Sequence, residues 1–94
     1  MGDSRGSAVE RIVLDGEYDL SRKEELRAIL ARLDGNCPIE LDVHGVTYAD
    51  SSFFTALAEL RRAHPQCPIA IRGARPMIRR VLGLLDFEKI FSID

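Results

Sequence analysis

The chain of 94 residues has the length of one small domain. Its 46% hydrophobic and 30% charged residues match an ordinary globular composition and exclude a disordered chain, and no apolar run nears the roughly 20 residues of a membrane span. The net charge of −2 argues against a nucleic-acid binder.

The polar start, Met1-Gly2-Asp3-Ser4-Arg5-Gly6-Ser7, has no apolar segment behind it and does not read as a secretory signal. Residues 1–9 are read as a flexible N-terminus before a domain spanning 10–94, and the cytoplasm is the expected compartment. Arg11-Ile12-Val13-Leu14-Asp15 alternates and predicts a strand, which Gly16 closes with a turn. Ser21 and Glu24 have capping-box spacing, with Ser21 as the expected N-cap. Leu26, Ile29, Leu30 and Leu33 then form one helical stripe, and Asp34-Gly35-Asn36 supplies the stop. Ile39-Glu40-Leu41-Asp42-Val43-His44 alternates cleanly as a strand with one buried face.

A second helix is predicted from about Ser51 to Ala63, and Pro65 limits it. Ile69-Ala70-Ile71-Arg72 is a further strand. Pro76 suits the first turn of a third helix, whose apolar positions are Met77, Ile78, Val81, Leu82 and Leu85; Gly83 is a possible early stop. Ile90 to Ile93 forms a last short strand. The order is βαβαβαβ, an α/β fold with a largely parallel sheet. Glu40, Asp42, His44 and Arg72 occupy the second face of their strands, where a doubly covered sheet would be apolar. Helices are therefore expected mainly on one side, with charge pairing across the other.

Charge is uneven along the chain. Residues 10–59 hold 11 acids and 5 bases, whereas residues 60–85 hold Arg61, Arg62, Arg72, Arg75, Arg79 and Arg80 and no acid. This reads as a solvated basic flank, or as a patch for an acidic partner. Cys37 and Cys67 have no metal or CxxC spacing, and two unpaired thiols are expected. Asn36-Cys37-Pro38-Ile39 and Gln66-Cys67-Pro68-Ile69 echo each other 30 residues apart, each opening a strand, a shared role for proline at a strand start.

The informative stretch joins the second strand to the second helix: Asp50, Ser51 and Ser52 are three consecutive residues able to cap it. One must cap, and on a purely structural reading the others only satisfy backbone donors. A functional reading rests on position, because a serine at a helix N-terminus is exposed and its phosphate is tolerated there. Phosphorylation adds roughly −1.5 to −2 charge, enough to oppose docking of a partner. Phe53 and Phe54 point about 100° apart, so one of them is expected at the edge or outside, either as an interface anchor or as a core residue under the adjacent loop.

Three blocks together carry a resemblance: Gly16-Glu17-Tyr18-Asp19 after the first strand, Leu41-Asp42-Val43 running on to Gly45-Val46-Thr47-Tyr48-Ala49-Asp50-Ser51-Ser52, and Arg75-Pro76-Met77-Ile78-Arg79-Arg80-Val81-Leu82. Over roughly residues 10–93 the chain resembles a STAS domain, the fold of anti-sigma factor antagonists that also occurs in sulfate transporters. The resemblance implies a right-handed βα superhelix with an open sheet. It implies a protein that binds an anti-sigma factor, itself a serine kinase, and is switched off when that kinase phosphorylates Ser51. A phosphoserine phosphatase would reverse the switch. Asp19, Asp50, Ser52, Phe53 and Phe54 are the expected partner-binding residues.

One departure stands out: the family usually continues Asp-Ser-Ser with Gly-Leu-Gly, and this chain has Phe53-Phe54-Thr55. A module regulating a transporter or a stress-signalling complex without phosphorylation is the alternative. No cofactor, metal ligand, direct nucleic-acid contact or membrane insertion is expected. Enzymatic activity is not expected either: the only histidines able to serve Ser51 or Ser52 as a base are His44 and His64, and no Gly-x-Ser-x-Gly elbow or phosphate-cradling loop is present.

Overall fold

A computed structural model describes residues 9–35 and 37–94. Of the expected flexible N-terminus, residues 1–8 lie outside these, as does Asn36 of the predicted first helix stop. The elements in chain order are β1 (Glu10–Tyr18), a 3-10 turn (Leu20–Arg22), α1 (Lys23–Ala31), β2 (Ile39–Ala49), α2 (Ser51–Ala63), β3 (Ile69–Arg72), α3 (Pro76–Leu84), a second 3-10 turn (Phe87–Lys89) and β4 (Ser92–Ile93). The strands form one sheet in the order β1-β2-β3-β4, and every pairing is parallel. This is the expected βα architecture.

The alternation read from the sequence decides which face carries the core. Ile39, Leu41, Val43 and Val46 of β2, with Leu14 of β1 and Ile71 of β3, are buried beneath the helices. α1 closes over them with Leu26 and Leu30, α2 with Phe53, Leu57 and Leu60, and α3 with Ile78 and Leu82. The opposite face is wet, and Val13 on it is 64% exposed. There Glu40 receives Arg11 at 3.3 Å and Arg72 at 3.1 Å, and Arg72 also reaches Asp94 at 2.5 Å. Asp42 departs from the expected pairing: its carboxylate accepts the His44 backbone N–H at 3.0 Å. Such exposed pairs order the face more than they stabilise the fold.

Several local expectations are corrected. Gly16 does not end β1; it sits inside the strand at φ +87°, where the β1–β2 register shifts on either side. A left-handed glycine in a bulge costs little, so the strand continues to Tyr18. Arg22 holds this bulge by donating to the carbonyls of Asp15 and Glu17, both at 3.1 Å, while its guanidinium lies 4.1 Å from the centre of the Tyr18 ring. Ser21 is not the cap of α1: Asp19 caps the preceding 3-10 turn by accepting the Ser21 N–H at 3.0 Å. In α3 the helix runs through Gly83 to Leu84, and Met77 and Leu85 are exposed. β4 is shorter than expected because the Ile90 and Phe91 N–H groups donate back to Phe87 O, at 3.0 and 2.8 Å, and close the 3-10 turn instead of pairing in the sheet.

The largest correction concerns the cysteines. Cys37 and Cys67 are joined in a disulfide, with Cα atoms 5.3 Å apart, within the normal span for such a bond. The sequence echo explains it. Ile39 and Ile69 are register partners in adjacent parallel strands, so the residues two positions before them must also lie side by side. The proline carbonyls serve the neighbouring strands, Pro38 accepting from Glu10 N–H and Pro68 from Ile39 N–H.

Candidate functional site

β1 and β2 end level with each other, Tyr18 opposite Ala49, and the chain leaves both strands through an aspartate. Asp50 N–H donates to Tyr18 O at 3.1 Å, which ties the two exits together. Each aspartate then caps the next helical turn by the same local chemistry. Asp19 accepts from the backbone and hydroxyl of Ser21. Asp50 accepts the Ser52 N–H at 2.9 Å and its hydroxyl at 2.5 Å. The fold thus brings Asp19, Asp50, Ser51 and Ser52 to one end of the sheet.

This arrangement separates the two serines. Ser52 is half-buried and its hydroxyl is committed to Asp50. Ser51 is the first residue of α2 and is exposed. Among the described residues its hydroxyl has no side-chain hydrogen-bond partner. The free hydroxyl therefore stands at the positive end of a 13-residue helix, where added negative charge meets a favourable dipole.

Asp50 is the N-cap, as one of the three candidates had to be. The Ser52 hydroxyl holds its carboxyl below the usual carboxylate value of 3.8, with further help from the backbone N–H groups of Ser52, Phe53 and Leu20, while partial desolvation acts the other way. A carboxyl whose folded-state pKa is depressed stabilises the fold above its unfolded value and ceases to do so as pH falls through the folded value. Denaturant midpoints of the wild-type chain should therefore fall as pH drops below 3.8. Asp50→Asn should start lower at neutral pH and show a shallower acid slope. Parallel slopes for the two proteins would contradict this role.

Of the two readings of the phenylalanines, the structure takes the core one. Both are buried, Phe53 to 1% and Phe54 to 7% exposure, so neither projects as an anchor. The buried positions of α2, 53, 54, 56, 57 and 60, cover an arc of about 160° at 100° per residue. A helix flanked on two sides can bury that much, whereas a single stripe cannot. Phe53 packs on Tyr18, ring centres 5.5 Å apart, and Phe54 meets Phe53 edge-on at 5.3 Å.

Phe54 then forms part of the wall of a groove of about 440 Å³ between α2 and the end of α3. Ser51, Thr55 and Ala58 supply one wall, and Val81, Leu85 and Phe87 the other. The lining is mainly apolar, and Ser51 and Asp50 stand at its edge. Two features here are missed by sequence reasoning. Leu20, 68% exposed, follows Asp19 as Ser51 follows Asp50, and an apolar residue between a capping aspartate and a serine is the available signal. Leu85 falls on the predicted core stripe, but the turn after α3 leaves it facing the groove.

Three of the six arginines of residues 60–85 are engaged in separate parts of the fold. Arg61 donates to the carbonyls of Ile90 at 2.9 Å, Cys67 at 2.6 Å and His64, closing the C-terminal end of α2. Arg72 belongs to the charged sheet face, and Arg75 donates to His44 O at 3.0 Å. Among the described residues no group of acidic, histidine and cysteine side chains could hold a metal ion, and no helix is long and apolar enough to cross a membrane.

Comparison with known families matches residues 1–92 to the STAS_2 family, described as Mlab, STAS domain. A search of curated proteins found no match. With nearly its whole length matched, and with the parallel βα sheet and the Asp-Ser-Ser helix start on which the resemblance rests, this chain belongs to the STAS_2 family of STAS domains.

Proposed function

We propose that this STAS domain is an anti-sigma factor antagonist. It docks on an anti-sigma factor through the end of the sheet that carries Asp19, Leu20, Asp50 and Ser51, with the groove beside Ser51 taking an apolar side chain of the partner. Phosphorylation of Ser51 releases the partner, and a phosphoserine phosphatase restores binding. The observation that carries this reading is the free, exposed hydroxyl of Ser51 at the first turn of α2, on the edge of an apolar groove. A phosphate there needs no refolding, because the helix dipole accommodates it, yet it puts charge where a partner would exclude water. Ser52 is disfavoured as acceptor because its hydroxyl is engaged by Asp50.

The test is incubation with a candidate anti-sigma kinase and ATP, followed by intact mass and site mapping. One phosphate on Ser51 and none in Ser51→Ala is the expected result; modification of Ser52 instead would overturn the assignment. A second reading is favoured by Phe53-Phe54-Thr55, in which a buried aromatic ring and a β-branched residue replace the two glycines of the usual motif. In it the same surface binds a transporter or stress-signalling assembly without phosphorylation. Recovery of a membrane complex in a pull-down, with no phosphate transfer, would select it.

A further inference from the structure

The cysteine pair lies at the N-terminal ends of β2 and β3, whereas Ser51 follows the C-terminal end of β2. Its two cysteines differ in exposure. Cys37 is exposed, while Cys67 is 3% exposed. The backbones on either side are held by contacts that do not involve the sulfurs. Ile39 N–H donates to Pro68 O at 2.9 Å, and Cys67 N–H to His64 O at 3.2 Å. Arg61 holds the Cys67 carbonyl at 2.6 Å. Breaking the sulfur–sulfur bond would leave the two side chains adjacent, able to close again.

We propose that Cys37–Cys67 is a reversible thiol–disulfide exchange site for low-molecular-weight thiols, with Cys37 the sulfur attacked and Cys67 the sulfur that leaves and recloses. A small thiolate attacks Cys37 Sγ in line with the bond. The Cys37–Cys67 bond breaks, its electron pair passes to Cys67 Sγ, and that thiolate takes a proton from water. The product is a mixed disulfide on Cys37. A second small thiolate attacks the outer sulfur of this adduct, leaving Cys37 as a thiol after protonation and releasing the small disulfide. Two small thiols are oxidised and the protein disulfide is reduced by two electrons. The small disulfide drives the same steps in reverse. Attack requires access to the sulfur, which the fold grants to Cys37 and denies to Cys67. This inference is independent of the reading of Ser51.

The experiment uses the full chain in glutathione buffers of graded redox ratio, with acid quenching, alkylation and intact mass. Wild type should pass between no and two alkylatable thiols in one step, with an unchanged far-ultraviolet spectrum. Cys67→Ser should accumulate one glutathione on Cys37, while folded Cys37→Ser should stay unmodified. Independently of any variant, the reduced wild type should be alkylated at Cys37 at least about tenfold faster than at Cys67. Equal alkylation rates, preferential modification of Cys67, thiols that stay free at the most oxidising ratio, or unfolding on reduction would each overturn the proposal.

Discussion

Replacing Ser51 by aspartate is expected to weaken partner binding at least about a hundredfold while leaving the fold intact. The two halves of this expectation have separate physical origins. Ser51 is exposed at the first helical position, so its replacement empties no cavity and buries no charge in the free protein. An acidic side chain there also sits favourably with the helix dipole, although Asp50 beside it offsets part of that gain. In a docked complex the same charge enters a contact next to a largely apolar groove. An unpaired or like-sign charge in such an interface costs several kcal/mol, and about 2.8 kcal/mol already corresponds to a hundredfold in affinity. Titration calorimetry with the partner, alongside denaturant melts of each variant, separates the effects. Ser51→Ala should bind close to wild type. An aspartate variant that binds within about threefold of wild type would remove Ser51 as a gate.

The second large effect concerns the core under that site. Phe53→Ala should destabilise the fold by about 3–5 kcal/mol, the usual cost of truncating a fully buried phenylalanine. Phe53 is 1% exposed and lies against both Tyr18 and Phe54, so its loss opens a cavity where β1 meets the start of α2. A domain of this kind has about 5–15 kcal/mol in total, so the variant should unfold at a much lower urea concentration. Phe53→Leu should cost far less, because most of the volume remains. A shift below about 1 kcal/mol for the alanine variant would mean that Phe53 does not anchor α2. Together the two substitutions distinguish docking from folding: the first removes binding without loss of stability, and the second removes stability first.

The outline of the fold was legible because it rests on local periodicity. Ile39, Leu41 and Val43 alternate with Glu40, Asp42 and His44, and that alternation alone required one dry and one wet face. The capping chemistry at Asp50-Ser51-Ser52 was legible for the same reason, since a cap depends on residues two or three positions apart. Errors arose where a residue had two acceptable local solutions. Gly16 suits a turn or a bulge equally, and the pairing of β1 with β2, reinforced by Arg22, selected the bulge. Ser21 and Asp19 could each cap, and the short turn at Leu20–Arg22 selected Asp19.

What the order of residues determined by itself was the βα alternation, the single covered face, the exposed serine at a helix start and the family. Each depends on interactions between neighbours in the chain. What only the tertiary structure decided was which groups from distant segments meet. Phe54 is covered because α3 and the turn after it approach α2 from a side that helical phase cannot reveal. Cys37 and Cys67 are bonded because a parallel register sets two equivalent strand starts side by side. Both depend on how separate elements pack, and that is set by the summed burial of the whole core.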